Sequence, residues 1–312
     1  MAIDRTPCLI VTGPTATGKT RLAVALARKY RGEIVSADSR QVYRGLDIGT
    51  GKDLQEYGSG DQRVPAHLLD VVNPGEEFHL FRFVQLAREA IEDISSRDRL
   101  PVIVGGSPLY LQALLDGYAL EGAGPDPAWR QELEELSDAQ LLEMLRQQAA
   151  PELLARTDLT QRRRVIRALE IARSGGGNFP REGLHNTLIL APKYPRAVCH
   201  QRIELRLDQR LAQGLPEEVE RLHQQGLSWE KMDWLGLEYR CLAQYFQGQL
   251  SWPEMRQTLL ARIRQFCKRQ DIWFRKMERE GKQIHWLPEG DFALACRLTE
   301  EWLSGQSGFC TR

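Results

Sequence analysis

The chain has 312 residues, 42% of them hydrophobic and 27% charged, and its 42 basic side chains balance 42 acidic ones. These values are typical of a soluble globular protein with one large domain and an insertion, or with two domains. No apolar stretch approaches the roughly 18 residues that span a bilayer. The five-residue apolar run near the start is too short for a signal-peptide core. Composition therefore excludes a membrane protein, and the zero net charge does not indicate a strongly basic nucleic-acid binder.

The cysteines are scattered and contain no C-x-x-C pair. This spacing argues against a zinc site or a disulfide framework, and it is typical of a protein from a reducing cytoplasm. We therefore expect a cytoplasmic protein. The six cysteines are Cys8, Cys199, Cys241, Cys267, Cys296 and Cys310.

The first predicted element is a phosphate-binding loop between a strand and a helix. The apolar run at residues 8–12 predicts a buried strand, and Leu22 and Leu26 share one face of the following helix. The eight residues between them match G-x-x-x-x-G-K-[ST] without substitution: Gly13, Pro14, Thr15, Ala16, Thr17, Gly18, Lys19 and Thr20. Here backbone N–H groups point at a phosphate, Lys19 adds a positive charge, and Thr20 can ligate Mg²⁺. The motif predicts phosphate binding, which is not the same as ATP hydrolysis.

A second segment, with the sequence Ser-Ala-Asp-Ser-Arg-Gln-Val-Tyr at residues 36–43, follows the next predicted strand at residues 33–36. In an open parallel sheet, ligands bind beyond the carboxyl ends of the strands, which places Asp38 beside the anion held by the P-loop. An aspartate at such a position often caps a turn or a helix instead. Because the P-loop is its neighbour, we interpret Asp38 as a catalytic carboxylate.

A third segment places Gly105, Gly106 and Ser107 directly after the predicted strand at residues 102–104. Ser107 has the position of a helix N-cap, and Pro108 at the first helical position supports that role. Its hydroxyl can also donate to a phosphate oxygen, since a helix N-terminus at this edge of the sheet suits an anion. The two roles are compatible.

Further apolar runs at residues 67–72, 187–190 and 284–286 predict three more strands. Most of the six runs are separated by helical patterns, which predicts an α/β fold with a P-loop NTPase-like parallel sheet flanked by helices. No convincing strand appears at residues 119–185, where amphipathic helices are predicted at residues 129–136, 139–148 and 161–173. We therefore divide the chain into a first core part (1–118), a helical insertion domain (119–185), and a second core part with C-terminal helices (186–312).

Several segments in order resemble one family of enzymes. They are the P-loop, the run Asp38-Ser39-Arg40-Gln41-Val42-Tyr43-Arg44-Gly45-Leu46-Asp47-Ile48-Gly49-Thr50, His67-Leu68-Leu69-Asp70, Val104-Gly105-Gly106-Ser107, the arginine-rich run at residues 163–170, and Lys268-Arg269-Gln270 followed by Trp273-Phe274-Arg275. Together they resemble the tRNA dimethylallyltransferases, also called tRNA isopentenyltransferases, over roughly residues 8 to 287. The chain is similar to bacterial members of that family, with some divergence.

The resemblance implies a prenyl transfer. In this family the P-loop holds dimethylallyl diphosphate, and the acceptor is N6 of the adenosine immediately 3′ of the anticodon in tRNAs that read codons beginning with U. It also implies Mg²⁺ on Thr20, with Asp38 as the general base and Ser107 in the place of a threonine that contacts phosphate. Arg202 and Arg206 match family arginines near the diphosphate, although their i, i+4 spacing equally fits a solvated helix face. We expect a monomer whose partners are dimethylallyl diphosphate and the anticodon stem-loop of tRNA.

We expect two basic segments of the chain to contact the tRNA. We also expect the target adenine to flip out of its stack and to be contacted by residues that follow Asp38. From Arg256 to Lys276 the chain has seven basic residues and one acidic residue, so this helix can hold a polyanion although the protein is neutral. Its aromatic residues fit core spacing better than base stacking. Because the insertion carries a mainly acidic run at residues 121–143, only its basic end suits RNA. The residues assigned to tRNA are Ser39, Arg40, Gln41, Arg163, Arg262, Lys268 and Arg269.

The chain also departs from the family pattern. Gly51 stands where the family usually has alanine, and Glu238 and Tyr239 stand where a basic residue and a glutamate are usual. These departures leave two alternatives open. Transfer to free AMP, ADP or ATP would leave the basic helix without a role, and a small-molecule kinase would leave the Asp38 segment unexplained.

Overall fold

The structure is a computed structural model that describes residues 5–117, 126–173 and 183–306. Contacts within the chain divide it into two compact units. One consists of Met1–Asp116 with Gly183–Arg312, and the other is Gly117–Glu182. The predicted limit between residues 118 and 119 lies outside the described residues, as does the glycine run at residues 174–177.

Among the described residues of the first unit, six parallel strands form one sheet in the order β3-β2-β4-β1-β5-β6. The predicted class, a P-loop NTPase-like parallel sheet flanked by helices, is confirmed. The central strands are apolar and buried along their whole length, because helices cover both faces of a parallel sheet. The strands are β1 Cys8–Val11, β2 Gly32–Ser36, β3 Ala66–His67, β4 Leu100–Val104, β5 Thr187–Lys193 and β6 Ile284–Pro288.

One predicted strand is mostly wrong. The run at residues 67–72 predicted an extended segment, but β3 ends at His67, and Leu68 and Asp70 have left-handed backbones with φ of 64° and 54°. The turn carries the carboxylate of Asp70 to the ammonium of Lys52, which is completely buried. Leaving the buried ammonium of Lys52 without a partner would cost more free energy than ending the edge strand early. His67 itself bonds Glu33, with 2.8 Å between Nε2 and Oε2, as expected for a structural histidine.

Most helices of the first unit pack into one of two hydrophobic cores. Helices α1 and α13 pack on the sheet around Leu9, Leu26 and Leu303. Helices α8 to α12 form a second core that also encloses Tyr43 and Leu46 from the segment after Asp38. The helices are α1 Lys19–Lys29, α2 Leu80–Ser96, α3 Pro108–Asp116, α8 Arg196–Ala212, α9 Leu215–Gln224, α10 Trp229–Leu235, α11 Leu237–Phe246, α12 Trp252–Arg279 and α13 Phe292–Ser304.

The second unit is helical in its described part and has a core of its own. Leu133, Leu145 and Leu169 are buried together in this core. Capping signals explain where its helices begin: Asp126 and Ser137 each accept a hydrogen bond from a backbone N–H in the first turn. A short fourth helix was not predicted. The helices are α4 Pro127–Glu135, α5 Asp138–Gln148, α6 Pro151–Arg156 and α7 Arg162–Arg173.

The hydropathy of the helices agrees with the composition. Within the described ranges, no helix combines the length and the apolar character needed to cross a bilayer.

Candidate active site

The P-loop, residues 13–20, connects the end of β1 to the start of α1. Its backbone is left-handed or otherwise positive in φ at Gly13 (135°), Ala16 (62°) and Gly18 (76°). These angles turn the chain sharply enough to collect its N–H groups on the inner side of the loop, where an anion binds. The hydroxyl of Thr17 donates to the Pro14 carbonyl at 2.9 Å and braces the turn. The loop therefore has a phosphate-binding shape before any ligand enters.

Lys19 is the positive charge at the centre of this loop. Its Nζ lies 3.5 Å from the carbonyl oxygen of Pro14. Burial and, to a smaller extent, the neighbouring charge of Arg206 lower the pKa of Lys19 to about 8, while Asp38 acts in the opposite direction. A bound anion strongly stabilises the charged form of an ammonium whose pKa is lowered by burial and by neighbouring cations.

A cavity of about 770 Å³ opens beside the P-loop. One wall is the P-loop from Ala16 to Thr20, and another is the basic face of α8, with Arg202, Arg206 and Arg210. The sequence predicted the first two arginines, and the structure places both on this wall. Arg210 was missed, and its i, i+4 spacing from Arg206 was the signal available in the sequence.

The guanidinium groups of Arg206 and Arg210 lie close together. The point where a Cβ on Gly51 would stand is 2.6 Å from Nη2 of Arg206 and 1.6 Å from Nη2 of Arg210, so a side chain at position 51 would require both guanidinium groups to move. Arg206 pairs with Asp53, and Arg210 lies 3.8 Å from Glu238. Crowding of like charges in a partly buried wall indicates a site for a multiply charged anion.

Arg202 lines the same cavity but is exposed. Its guanidinium carbon lies 3.9 Å from the centre of the Tyr194 ring, a cation–π contact that orients the side chain. The solvated helix face considered from the sequence therefore still describes Arg202 in part, whereas Arg206 is half-buried.

Asp38 is half-buried at the end of β2, next to the P-loop. Its Oδ1 accepts hydrogen bonds from the backbone N–H groups of Arg40 (2.8 Å) and Gln41 (3.3 Å). Among the described residues no hydrogen bond reaches Oδ2. One oxygen of the carboxylate therefore caps a turn, and the other makes no hydrogen bond with a described residue, so the two roles considered from the sequence are compatible.

The neighbours of Asp38 are engaged to different degrees. The backbone N–H of Ser39 donates to the hydroxyl of Ser107 at 3.3 Å, so Ser107 can still donate its own hydrogen. The side-chain amide of Gln41 donates to the Gly51 carbonyl at 3.0 Å and accepts from Ser36 at 3.3 Å. The side chain of Arg40 is half-buried. Of the three neighbouring residues assigned to tRNA, Gln41 is therefore the one whose side-chain amide already makes hydrogen bonds within the protein through both its oxygen and its nitrogen.

Two buried charges that the sequence did not single out hold the segment after Asp38. The ammonium of Lys52 bonds the Tyr43 carbonyl and Asp47, both at 2.7 Å, and also Asp70. The carboxylate of Glu218 accepts the consecutive backbone N–H groups of residues 47, 48 and 49 at 2.8–3.0 Å. The hydroxyl of Tyr239 donates to the same carboxylate at 2.7 Å. Such charge-assisted bonds keep the loop that carries Asp38 in one shape.

The basic helix α12 is less available than its composition suggests. Most of its cations are in ion pairs or hydrogen bonds within the protein, whereas Lys268 and Arg269 are exposed and make no such contact with another described residue. The engaged cations are Arg256 (to Glu204 and Asp208), Arg264 (to Glu204), Arg262 (to the Cys241 sulfur at 3.3 Å), Arg275 (to Asp271) and Lys276 (to Glu280).

In the second unit, Arg163 is exposed near the start of α7. Its neighbours in the arginine run stabilise the unit itself: Arg162 bonds Asp138 and three carbonyls at the end of α4, and Arg164 pairs with Asp158.

The described residues contain no group of three histidine, cysteine, aspartate or glutamate side chains that would hold a metal by themselves. The donors at the P-loop are instead the Thr20 hydroxyl and whatever oxygens a phosphate ligand brings. This set suits Mg²⁺, which is usually bound through one or two protein groups, substrate phosphates and water.

The fold and this site define a P-loop protein with a cation-lined cavity at one edge of a parallel sheet and an aspartate at the end of a neighbouring strand. The family model described as IPP transferase matches residues 41–277, and the one described as isopentenyl transferase matches residues 7–68. The chain belongs to the IPP transferase family.

Individual relatives agree with this assignment. The chain is 48% identical over 284 residues to tRNA dimethylallyltransferase 1 of Geotalea uraniireducens (strain Rf4), which covers 91% of this chain and 92% of that protein. It is 31% identical to the full-length tRNA isopentenylpyrophosphate transferase from Bacillus halodurans, with a TM-score of 0.68 over 96% of this chain and 98% of that one. A eukaryotic dimethylallyltransferase acting on tRNA, at 24% identity and a TM-score of 0.79, shares the fold over 97% of this chain and 80% of its own.

Proposed function

We propose that this protein transfers a dimethylallyl group from dimethylallyl diphosphate to N6 of the adenosine immediately 3′ of the anticodon in tRNAs reading codons that begin with U. The products are N6-isopentenyladenosine and diphosphate. The observation that carries the proposal is a cavity lined by a P-loop and three arginines, with the carboxylate of Asp38 acting electrostatically on Lys19, in a chain that belongs to the IPP transferase family.

The diphosphate is bound by the P-loop backbone, Lys19 and the arginines of α8, to which we add Arg210. The N6 nitrogen attacks C1 of the allylic group, and the C1–O bond breaks with its electron pair going to the diphosphate. Negative charge therefore grows on the leaving group, where these cations stabilise it. Ser107 can donate its hydroxyl hydrogen to a phosphate oxygen. Mg²⁺ bound by Thr20 and phosphate oxygens would supply further positive charge.

Asp38 takes the proton that N6 loses when the new bond forms. Its Oδ1 is fixed by two backbone N–H groups, which leaves Oδ2 to accept the proton. A positioned general base of this kind contributes about 10²–10⁴-fold to a rate.

The target base must leave its stack to reach this pocket. We propose that Ser39, Arg40 and Gln41 lie against the flipped base, and that Arg163, Arg262, Lys268 and Arg269 contact the RNA. Lys268 and Arg269 are the strongest candidates, because their charges are not used inside the protein. We further propose that the enzyme acts as a monomer in the cytoplasm, together with its tRNA.

The test is transfer of labelled dimethylallyl diphosphate to unmodified tRNA, with AMP, ADP and ATP as competing acceptors and Asp38→Ala as a control. Label on tRNA that is lost in the variant supports both the acceptor and the base. Label on the mononucleotides alone would move the protein to adenylate prenylation. Turnover of ATP without any label transfer would favour a kinase and contradict the proposal.

A further inference from the structure

The side chain of Gln270 lies in the middle of α12 and is only 3% exposed. Both ends of its amide are engaged by loops of the active site. Oε1 accepts the backbone N–H of Thr15 in the P-loop at 2.9 Å, and Nε2 donates to the carbonyl of Gly106 at 2.6 Å. One side chain from the basic helix therefore joins the loops that follow β1 and β4.

The bond to Thr15 sits at the most constrained point of the P-loop. The next residue, Ala16, is left-handed, a conformation that is unfavourable for a residue with a side chain unless its surroundings hold it. The contact with Gly106 is equally close-fitting, because a Cβ at that position would lie 2.7 Å from Nε2 of Gln270 and 3.3 Å from Nζ of Lys19. Gln270 thus helps set both the shape of the loop and the surroundings of its lysine.

The hydrogen-bonded connection extends from Gly106 toward Asp38. Ser107 follows Gly106 directly, and its hydroxyl accepts the N–H of Ser39, the residue after Asp38. The P-loop, the β4 loop and the Asp38 turn are therefore connected in series to a single residue of α12.

On the outer face of that helix, Lys268 and Arg269 immediately precede Gln270 in sequence. They are the exposed cations assigned to tRNA. Within a continuous helix of 28 residues, a small shift or stiffening caused by RNA on these two residues must also reach Gln270, which is less than one turn away.

We propose that Gln270 is a positioning residue that couples tRNA contact on α12 to the diphosphate loop and to Asp38, so that each substrate tightens the binding of the other. The inference rests on the proposed function, since it requires both substrates. Coupling between two ligands is reciprocal in their binding constants and commonly amounts to about 5–150-fold.

The test uses the full chain and inorganic pyrophosphate with Mg²⁺, titrated by calorimetry with and without a saturating anticodon stem-loop RNA. For the wild type, the RNA should lower the Kd for pyrophosphate about fivefold or more. In Gln270→Met, which keeps the volume but loses both hydrogen bonds, that ratio should fall to near one while the RNA still binds. Gln265→Met, an exposed glutamine on the same helix, is the matched control and should keep the wild-type ratio.

Gln270→Glu separates the two contacts, because a carboxylate still accepts from Thr15 but cannot donate to Gly106. Its ratio should fall between those of the wild type and Gln270→Met, and this variant decides the matter if Gln270→Met does not fold. An equal ratio in all four proteins would overturn the proposal, as would a wild-type ratio of one. A wild type that transfers no label to tRNA would contradict the proposed function instead, so the two failures are distinguishable.

Discussion

The diphosphate edge of the sheet and the basic helix α12 both collect arginine and lysine, but they use them differently. At the edge, Lys19, Arg206 and Arg210 line one cavity, with Asp53 and Glu56 also in its lining and Glu238 3.8 Å from Arg210. On α12 four cations are paired with acidic side chains, while Lys268 and Arg269 are exposed and make no ion pair with a described residue. A count of charges along the sequence does not separate these cases. What matters is whether the fold gathers the cations around one cavity or distributes them singly among carboxylates and solvent.

The largest effect is expected at Asp38, the proposed general base. In Asp38→Asn, the amide oxygen can still accept from Arg40 and Gln41, so the turn should persist, but the proton acceptor is lost. We expect kcat to fall by about 10²–10⁴-fold. Single-turnover transfer to tRNA measures this loss. Pyrophosphate affinity should change less than about twofold, and a large change there would mean that Asp38 acts through the P-loop instead.

The next effect concerns the cation that the sequence missed. Removing the charge of Arg210 in Arg210→Met should weaken pyrophosphate binding by about 10–100-fold, the worth of a charge-assisted hydrogen bond in a partly buried site. Arg256→Met removes a paired arginine from α12 and should leave this affinity unchanged.

The companion variant Glu238→Gln removes the carboxylate beside Arg210 and should act in the opposite direction, tightening pyrophosphate by severalfold. Equal binding in Arg210→Met and the wild type would exclude Arg210 from the site.

The pH dependence of the edge follows from Lys19. Its pKa of about 8 means that the ammonium is charged below about pH 7 and loses its proton as the pH rises through 8. The KM for dimethylallyl diphosphate should therefore rise about tenfold between pH 7 and pH 9. Steady-state kinetics at constant ionic strength measure this rise. Lys19→Arg keeps its charge throughout this range, so its KM, whatever its value, should not rise with pH, and a flat profile in the wild type would contradict the assignment.

The sequence predicted the parts of this site that short-range patterns determine. Eight contiguous residues dictate a P-loop, and a buried strand before Asp38 places it at the correct edge. Two departures from the family pattern, Gly51 and Glu238, were visible but unexplained. In the structure both adjoin Arg210, one by leaving room for its guanidinium and the other by facing its charge. Contacts between residues so far apart in the chain have no local signature.

The error at residues 67–72 has the same origin. The apolar run favours a strand, but the buried ammonium of Lys52 requires Asp70, and the backbone turns to deliver it. Gln270 is a further case, because nothing in its helical neighbourhood indicates that its amide reaches the loops after β1 and β4. Tertiary partners of buried polar groups are what the sequence alone left out.

The smallest effects should appear on α12, where they test the distinction between exposed and paired cations most directly. Lys268→Ala and Arg269→Ala should each weaken tRNA binding by up to about fivefold, and each should reduce the slope of log Kd against log salt by about one. Arg275→Ala, whose side chain is paired with Asp271, should change neither quantity appreciably. Filter binding at four salt concentrations gives both. Equal slopes for all three variants would contradict this distinction. They would mean that the RNA phosphates replace Asp271 as the partner of Arg275 as easily as they replace water around Lys268 and Arg269.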